Sequence, residues 1–274
     1  NYNVLMAKYV ALIELERHYE ARKILEELDR EISYFTYKNG ILSEHWDKLD
    51  LLVEKAWSLI YDDRLNDAES YIEKIIEDIP YNSNPRIAQA YLHLYRGFPR
   101  LALEDFEIVT NLNPESKVAA VGKAYALDEN DKSEEGREIA KALKEKYSKD
   151  LAVLKLNRYF EIQDMRLLSV KAEFSHGGSF VDGAGYTVRL EQPIYPYRKI
   201  YAETLWLQTK DEFEKRNIFR SGIGFDWRIN RDLSLEGGFS LDHQGKDPGI
   251  SGGIRWNVDD HLSLAASYNS YSLN

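Results

Sequence analysis

Histidines, serines and carboxylates are the residues here whose placement could support chemistry. The six histidines (His18, His45, His93, His176, His243 and His261) form no i, i+4 pair on a helix and no other metal-ligand spacing. Each reads as a surface or loop residue. No serine stands in a Gly-x-Ser-x-Gly elbow, and the absence of cysteine removes disulfides and thiolate metal sites. The expectation is therefore a protein with no catalytic residue, no metal and no cofactor, and not an enzyme. The carboxylates are more informative. Glu173, Glu191, Glu203, Asp226, Glu236 and Asp242 recur where polar and apolar residues alternate, interspersed with Lys171, Arg189, Arg220, Arg228 and Arg255. Such a set forms either fixed ion pairs between neighbouring strands or a lining for weak, repeated contacts. Asp226 and Glu236 flank a tight turn at 230–231 and are the pair best placed for the second role.

The elements that carry these side chains are strands. After Met165 strict alternation begins. In Asn217–Ile229, Phe219, Ile223, Phe225 and Trp227 share one face, and Arg220, Gly222, Gly224 and Asp226 the other. Similar patterns at 168–175, 186–191, 200–209, 232–242, 249–258 and 261–270 predict seven strands of about ten residues, long enough to cross a bilayer when tilted. In 200–209, Tyr201 and Glu203 oppose Ala202 and Trp206, and the facing of Tyr201 stays ambiguous. Asn230–Arg231 and Asp259–Asp260 read as tight turns, whereas 176–183, 210–216 and 243–248 are longer and polar. Short turns on one side and longer loops on the other are the arrangement of outer-membrane barrels. Trp227 and Trp256 near short-turn ends and Trp206 near a long-loop end fit aromatic girdles at two interfaces. Gly222, Gly224 and Gly238 on the polar face are expected to widen a lumen. A soluble antiparallel sheet is the competing reading.

Residues 1–165 have a different period. Pro80 and Pro114 lie 34 residues apart, the tetratricopeptide (TPR) repeat length. Leu65, Ala68, Ile72 and Ile75 precede the first as Gly97, Ala102, Phe106 and Val109 precede the second. The alanine, twelve residues before each proline, lets two helices approach, and the proline ends the second helix. Leu52, Ala56 and Leu59, and Ala90, Tyr91 and Leu94, form the partner stripes. A weaker unit spans Ser116 to Tyr147, with Gly136 at the small-residue position, and an earlier one at Val4–Glu31 has an imperfect register. Leu151–Gln163 reads as a closing helix. Glu104, Asp105 and Glu107 either line a concave surface or form a solvated helix face.

The fold expected is thus α + β in two domains. Residues 1–165 form a periplasmic TPR-type α-solenoid with a closing helix, and residues 166–274 the N-terminal portion of an antiparallel transmembrane β-barrel. Charge divides the same way: 23 basic and 32 acidic side chains in 1–165, against 13 and 14 in 166–274. The overall charge of −10 argues against nucleic acid as a partner. No run of about 18 apolar residues predicts a transmembrane helix, and a start at Asn1 inside a helical pattern suggests processing or truncation. Tyrosine is abundant, 19 against 10 phenylalanines, and many of these tyrosines lie in the repeats rather than in a girdle.

Arg96-Gly97-Phe98-Pro99-Arg100 followed by Leu101-Ala102, with Asn113-Pro114 beyond, resembles the Arg-Gly-aromatic-Pro-Arg turn of the poly-β-1,6-N-acetylglucosamine export porin family. Leu156, Arg158 and the stretch to Met165 resemble its junction, and Arg166–Leu168 its first strand. The resemblance covers residues 85–242, and residues 1–84 match as generic repeats. It implies an outer-membrane location, outer-membrane lipids as surroundings, a sixteen-stranded pore and a partly deacetylated, cationic biofilm exopolysaccharide as cargo. It also implies a periplasmic polysaccharide deacetylase or lipoprotein as partner of the repeats. On that reading Asp226, Glu236, Asp242, Glu191, Glu173 and Glu203 would meet sugar amines, and Tyr201 would stack on a sugar. Alternatives are export of another polysaccharide such as cellulose, or a membrane-anchored TPR scaffold for protein assembly. The departure is length. Seven strands do not close such a barrel, an odd count leaves the chain on the wrong side, and Ser272-Leu273-Asn274 lacks the usual terminal aromatic. Further strands are therefore expected outside this sequence.

Overall fold

The computed structural model describes residues 2–38, 41–44, 46–175, 182–210, 215–244, 247–259 and 261–270. His45, His176, Asp260, Ser272-Leu273-Asn274 and parts of the three longer connections lie outside the described residues. Contacts divide the chain into two compact units, Asn1–Leu127 and Asp128–Asn274. The boundary between units falls earlier than the change of period at 163–167, so the last two helices belong with the strands.

In the first unit α1 (Tyr2–Glu14) pairs with α2 (His18–Glu31), α3 (Trp46–Tyr61) with α4 (Leu65–Asp78), and α5 (Ser83–Tyr95) with α6 (Pro99–Leu112). Then α7 (Lys117–Glu129) follows. Two residues beyond the end of each first helix stands a residue with positive φ: Glu16 at 57°, Asp63 at 57°, Gly97 at 78° and Asp131 at 62°. The left-handed residue reverses the chain and lets the next amide bond back onto the helix, as from Arg64 N to the Leu59 carbonyl (3.0 Å) and from Phe98 N to that of His93 (2.8 Å). The last three turn residues repeat at 34-residue spacing, and five residues after each turn comes a small buried residue: Ala21, Ala68, Ala102 or Gly136.

The imperfect register of the first repeat now has a cause. Glu16 and Asp63 are 47 residues apart, 13 more than the period, and a hairpin between α2 and α3 occupies that surplus. Its strands, β1 (Phe35–Lys38) and β2 (Ile41–Glu44), pair antiparallel and were not expected from the sequence. The Lys48 side chain, 4% exposed, holds the two helices together across the insertion, with its ammonium 2.7 Å from the Asp29 carboxylate and 2.9 Å from the Asp29 carbonyl. Burial alone would raise the Asp29 pKa, but hydrogen bonds from Lys48 and Lys55 outweigh it and hold the carboxyl below its usual range. Gly122 in α7 carries a different constraint. A Cβ there would overlap the ring of the fully buried Phe106, so the helix keeps a residue that costs about 1 kcal/mol in propensity relative to alanine.

The second unit contains α8 (Ser133–Lys146), α9 (Leu151–Gln163) and a sheet. Asp150 caps α9 by accepting from the amides of Ala152 and Val153. The strands are β3 (Leu167–Ser175), β4 (Asp182–Tyr195), β5 (Arg198–Lys210), β6 (Lys215–Asn230), β7 (Leu233–Asp242), β8 (Pro248–Asn257) and β9 (Ser263–Asn269). They pair antiparallel in sequence order, and β3 and β9 each have one neighbour. The sheet is therefore open rather than a closed barrel, and its strands run from 7 to 16 residues rather than a uniform ten. No helix among the described residues is long and apolar enough to cross a membrane.

Exposure in this sheet is inverted. Side chains that alternate onto the apolar face are open to solvent, with Val170 67%, Phe174 83%, Ile223 66% and Ile250 55% exposed. On the opposite face the Glu191 side chain is 15% exposed and those of Arg189 and Glu203 are 30% exposed. A sheet folded against an aqueous core would show the reverse pattern.

Candidate functional site

The polar face of the sheet brings the expected carboxylates together, and the register sorts them. Cross-strand partners share a face. One row runs Glu191, Tyr201, Gly224, Gly238 and Ser251; the next runs Lys199, Asp226, Glu236 and Gly253; a third runs Arg189, Glu203, Gly222 and Ser240. Glu191 is bound by Arg189 at 3.0 Å and Lys199 at 3.2 Å, and Glu203 lies 3.7 Å from Arg189. Glu173 pairs with Lys171 on its own strand. Asp242 accepts from the Gln244 amide at 2.9 Å and so shapes the start of the β7–β8 connection. Those four carboxylates have structural partners.

Asp226 and Glu236 differ. They are direct partners between β6 and β7, two like charges face to face, with no cation in ion-pair contact among the described residues. Like charges directly opposite each other weaken a strand pair. Lys199, opposite Asp226 on β5, is bonded to Glu191 instead, which leaves this pair as candidate carboxylates of the polar face without an ion-pair partner among the described residues.

Tyr201 settles onto the polar face. The Arg189 guanidinium lies 3.6 Å from its ring centroid. The ring occupies the space above Gly224 and reaches towards Gly238 and Ser251, so that a Cβ at either glycine would meet it. Glu236 fills the corresponding space above Gly253. Gly224 and Gly238 thus do not widen the polar face; they seat the Tyr201 ring, an aromatic covering a strand glycine, whereas Gly222 lies against the backbone of Phe239 and Ser240.

On the apolar face Trp206 stacks on Tyr186 at 5.4 Å near the long-connection ends, while Trp227 lies 4.8 Å from Phe225 towards the short turns. Trp256 pairs across β7–β8 with Leu233 and is 51% exposed. All three indoles are on the face expected of a girdle.

In the repeats the expected trio divides. Glu104 and Glu107 are exposed, whereas the Asp105 carboxylate lies 2.8 Å from His93 Nδ1, with both side chains nearly buried at 13% and 12%. Asp105 and His93 join α5 to α6, so neither is the solvated surface residue expected from sequence. Arg96 of the Arg-Gly-Phe-Pro-Arg turn reaches back to α4, bonding Glu69 at 2.8 Å and Asn66 at 2.6 Å, while Pro99 starts α6 where its missing N–H costs nothing. Among the described residues no three His, Asp or Glu side chains are grouped to hold a metal.

Sequence reasoning missed a densely bonded group in the second unit. Asp128 is fully buried and accepts from Ser133 Oγ (2.5 Å), Tyr159 OH (2.5 Å), Gln163 Nε2 (2.8 Å) and Tyr197 OH. Burial first, and then the bond to Asp128, push both phenols well above their ordinary pKa, which keeps them as donors. Tyr197 sits at positive φ in the tight β4–β5 turn, and Arg228 of β6 lies over its ring at 4.3 Å. Arg228 also bonds the Asp131 carboxylate and the Glu129 carbonyl, each at 2.8 Å. The cluster clamps the start of α8 and the end of α9 to the short-turn end of the sheet, beside a cleft of about 310 Å³ lined by Glu134, Glu135, Tyr195 and Arg198. An aromatic residue inside a two-residue turn was the one local signal that could have pointed to it.

The class these features define is a TPR-like helical array running into an antiparallel sheet with an uncovered apolar face. No protein-family model matches the chain, and no curated protein does. Among solved structures, a tetratricopeptide repeat protein from Parabacteroides merdae is similar over 58% of this chain and 59% of its own, at 16% identity and a TM-score of 0.38. The chain thus spans under two thirds of that protein. A point mutant of MamA is similar over 59% of this chain and 87% of its own (14% identity, TM-score 0.37), and MamA from strain MSR-1 over 58% and 79% (15%, 0.34).

Proposed function

We propose that this chain is part of an outer-membrane porin that exports partly deacetylated poly-β-1,6-N-acetylglucosamine, with its helical repeats in the periplasm to receive polymer or the deacetylase. The observation that carries this reading is the inverted exposure of the sheet. Among the described residues the strands present an apolar face whose side chains, Val170, Phe174, Ile223 and Ile250 among them, are exposed, with indoles towards its two ends, while Glu191, Arg189 and Glu203 on the other face are shielded. An apolar surface of that extent needs a covering, and lipid supplies one that spans every strand. A pore built from this sheet requires partners for the free edges of β3 and β9. The polar face then becomes the lumen, with the unneutralised Asp226 and Glu236 towards the short-turn, periplasmic end. Weak attraction of ammonium groups to that pair suits a sliding polymer, which a fully paired lumen would not attract.

The test is polymer secretion by cells that depend on this protein, with Asp226→Asn and Glu236→Gln combined. The expected result is a several-fold fall in secreted polymer at unchanged protein level in the outer membrane. Normal secretion by the double variant removes the pair from the path, and recovery of the protein in the soluble fraction removes the porin reading altogether.

A further inference from the structure

Polar side chains interrupt the apolar face of the sheet near the long-connection ends of its strands. The register puts Thr204 of β5 directly opposite Ser221 of β6, in a row with Val188 and Leu241. The next row outwards holds Tyr186, Trp206 and Phe219. His243, two residues beyond Leu241 and so on the same face, joins that row: its backbone amide donates to the Phe219 carbonyl at 2.8 Å, and its ring lies 4.7 Å from the Phe219 ring. Ser221 Oγ is 3.2 Å from Thr204 Oγ1 and 3.0 Å from His243 Nε2, which links β5, β6 and the end of β7 in one string. Beside the string is a depression of about 580 Å³, within the range of small-molecule sites. Its middle is lined by the small Ala202, Thr204 and Ser221, and its rim by Leu190, Ile223 and Phe239.

The string does not satisfy itself. It holds three donors, two hydroxyls and one imidazole N–H, for two contacts. With the ring proton on Nδ1, Thr204 donates to Ser221 and Ser221 to the ring, and the Nδ1–H is left over. With the proton on Nε2 the order reverses, and the Thr204 hydroxyl is left over. In both tautomers one donor has no acceptor among the described residues. Against hydrocarbon such a group is costly, because no water is there to meet it. A Thr–Ser pair by itself is an ordinary cross-strand contact; the histidine that adds a surplus donor is not. An acyl chain supplies both missing partners in one molecule, a carbonyl oxygen to accept from the string and a hydrocarbon tail for the depression beside it.

We infer that the depression seats one acyl chain of lipid A, the acylated, phosphorylated glucosamine disaccharide of an outward-facing outer-membrane leaflet. The tail lies over Ala202 between its register neighbours Leu190 and Ile223, and the acyl carbonyl accepts from the Thr204–Ser221–His243 string. The site is next to the aromatic row at the long-connection ends, away from the short turns, which places it in that leaflet and not in the phospholipid one. The inference rests on the export reading for its medium and for the side of the membrane. It adds one ordered lipid at one place on a face that would otherwise meet lipid without preference.

The test adds lipid A, and phosphatidylethanolamine in a parallel series, to the full chain extracted from membranes in detergent, and counts retained lipid by native mass spectrometry. Wild type should bind one lipid A saturably and about tenfold more tightly than phosphatidylethanolamine. Thr204→Val, Ser221→Ala and His243→Phe combined remove every donor of the string and should weaken lipid A about tenfold. Ala202→Phe fills the depression, leaves the string intact and should abolish saturable binding. Circular dichroism checks the strand signal; if the triple variant loses it, Ala202→Phe, at an exposed position, decides alone. Wild-type affinity in the folded variants overturns the site, as does equal or tighter binding of phosphatidylethanolamine, or no saturable binding in wild type. Recovery of the chain in the soluble fraction overturns the site and the export reading together. Loss of the site in a chain that stays in the membrane leaves that reading standing, since Asp226 and Glu236 occupy the opposite face of the sheet.

Discussion

In the helical unit Phe106, Ile72 and Leu92 have no solvent exposure, and the buried Lys48 is paired with Asp29. In the sheet Phe174, Val170 and Ile223 are about two thirds exposed or more, and Glu191, Arg189 and Glu203 are shielded on the opposite face. The same residue classes are sorted in opposite directions within one chain. The difference teaches that hydrophobic patterning alone states only which residues share a face. Which face is inside depends on what each unit packs against.

The largest effect that can break this contrast comes from one substitution made in both regions. Phe106→Ala should lower stability by about 3–5 kcal/mol, because it opens a cavity over Gly122 that the stacked helices cannot close. Phe174→Ala, measured by the same denaturant titration without lipid, should change it by no more than about 0.5 kcal/mol. Comparable losses at the two sites would mean that the apolar face of the sheet is packed into a dry core after all.

A smaller effect sharpens the boundary between the regions. Tyr197→Phe removes one donor to the buried Asp128 carboxylate and should cost about 1.5–3 kcal/mol, the range for a hydrogen bond to a charged group. Hydrogen exchange should quicken in α9 and around the β4–β5 turn, with α1 to α6 unchanged. Exchange spreading into those early helices would show that the Asp128 cluster does not mark where the second unit begins.

The smallest effect concerns the repeats alone. Glu16 holds a left-handed conformation that Gly97 adopts freely and that Asp63 and Asp131 tolerate through their short polar side chains. Glu16→Gly should therefore raise stability by about 1 kcal/mol, seen as a higher melting temperature of the helical signal. No gain would mean that the first turn is held by contacts stronger than its backbone preference.

Much of the architecture was legible because it repeats. The 34-residue spacing of Pro80 and Pro114, and the alternation from Leu168 to Tyr268, are visible wherever one face of a regular element is apolar. The hairpin at Phe35–Glu44 was not, since two four-residue strands carry too few residues to establish a period. The site was partly legible. That Asp226 and Glu236 would be neighbours followed from the turn between them, but that Glu203 would be taken by Arg189 and Glu191 by Lys199 required the register.

By itself the sequence determined where the repeat helices and the seven later strands lie, that the change between them falls between Gln163 and Leu167, and, apart from 200–209, which residues share each strand face. These are local properties: side-chain direction repeats every 3.6 or 2 residues whatever the rest of the chain does. Only the tertiary structure decided that Asp128 gathers donors from Tyr159, Gln163 and Tyr197, up to 69 residues away. It also decided that Tyr201 lies over Gly224, that Asp105 is spent on His93, and that Trp57 meets Tyr91, 34 positions on. Each of those facts depends on which distant segments touch. Chain periodicity is silent on that, because a contact between elements depends on how they pack together and not on the repeat within either one.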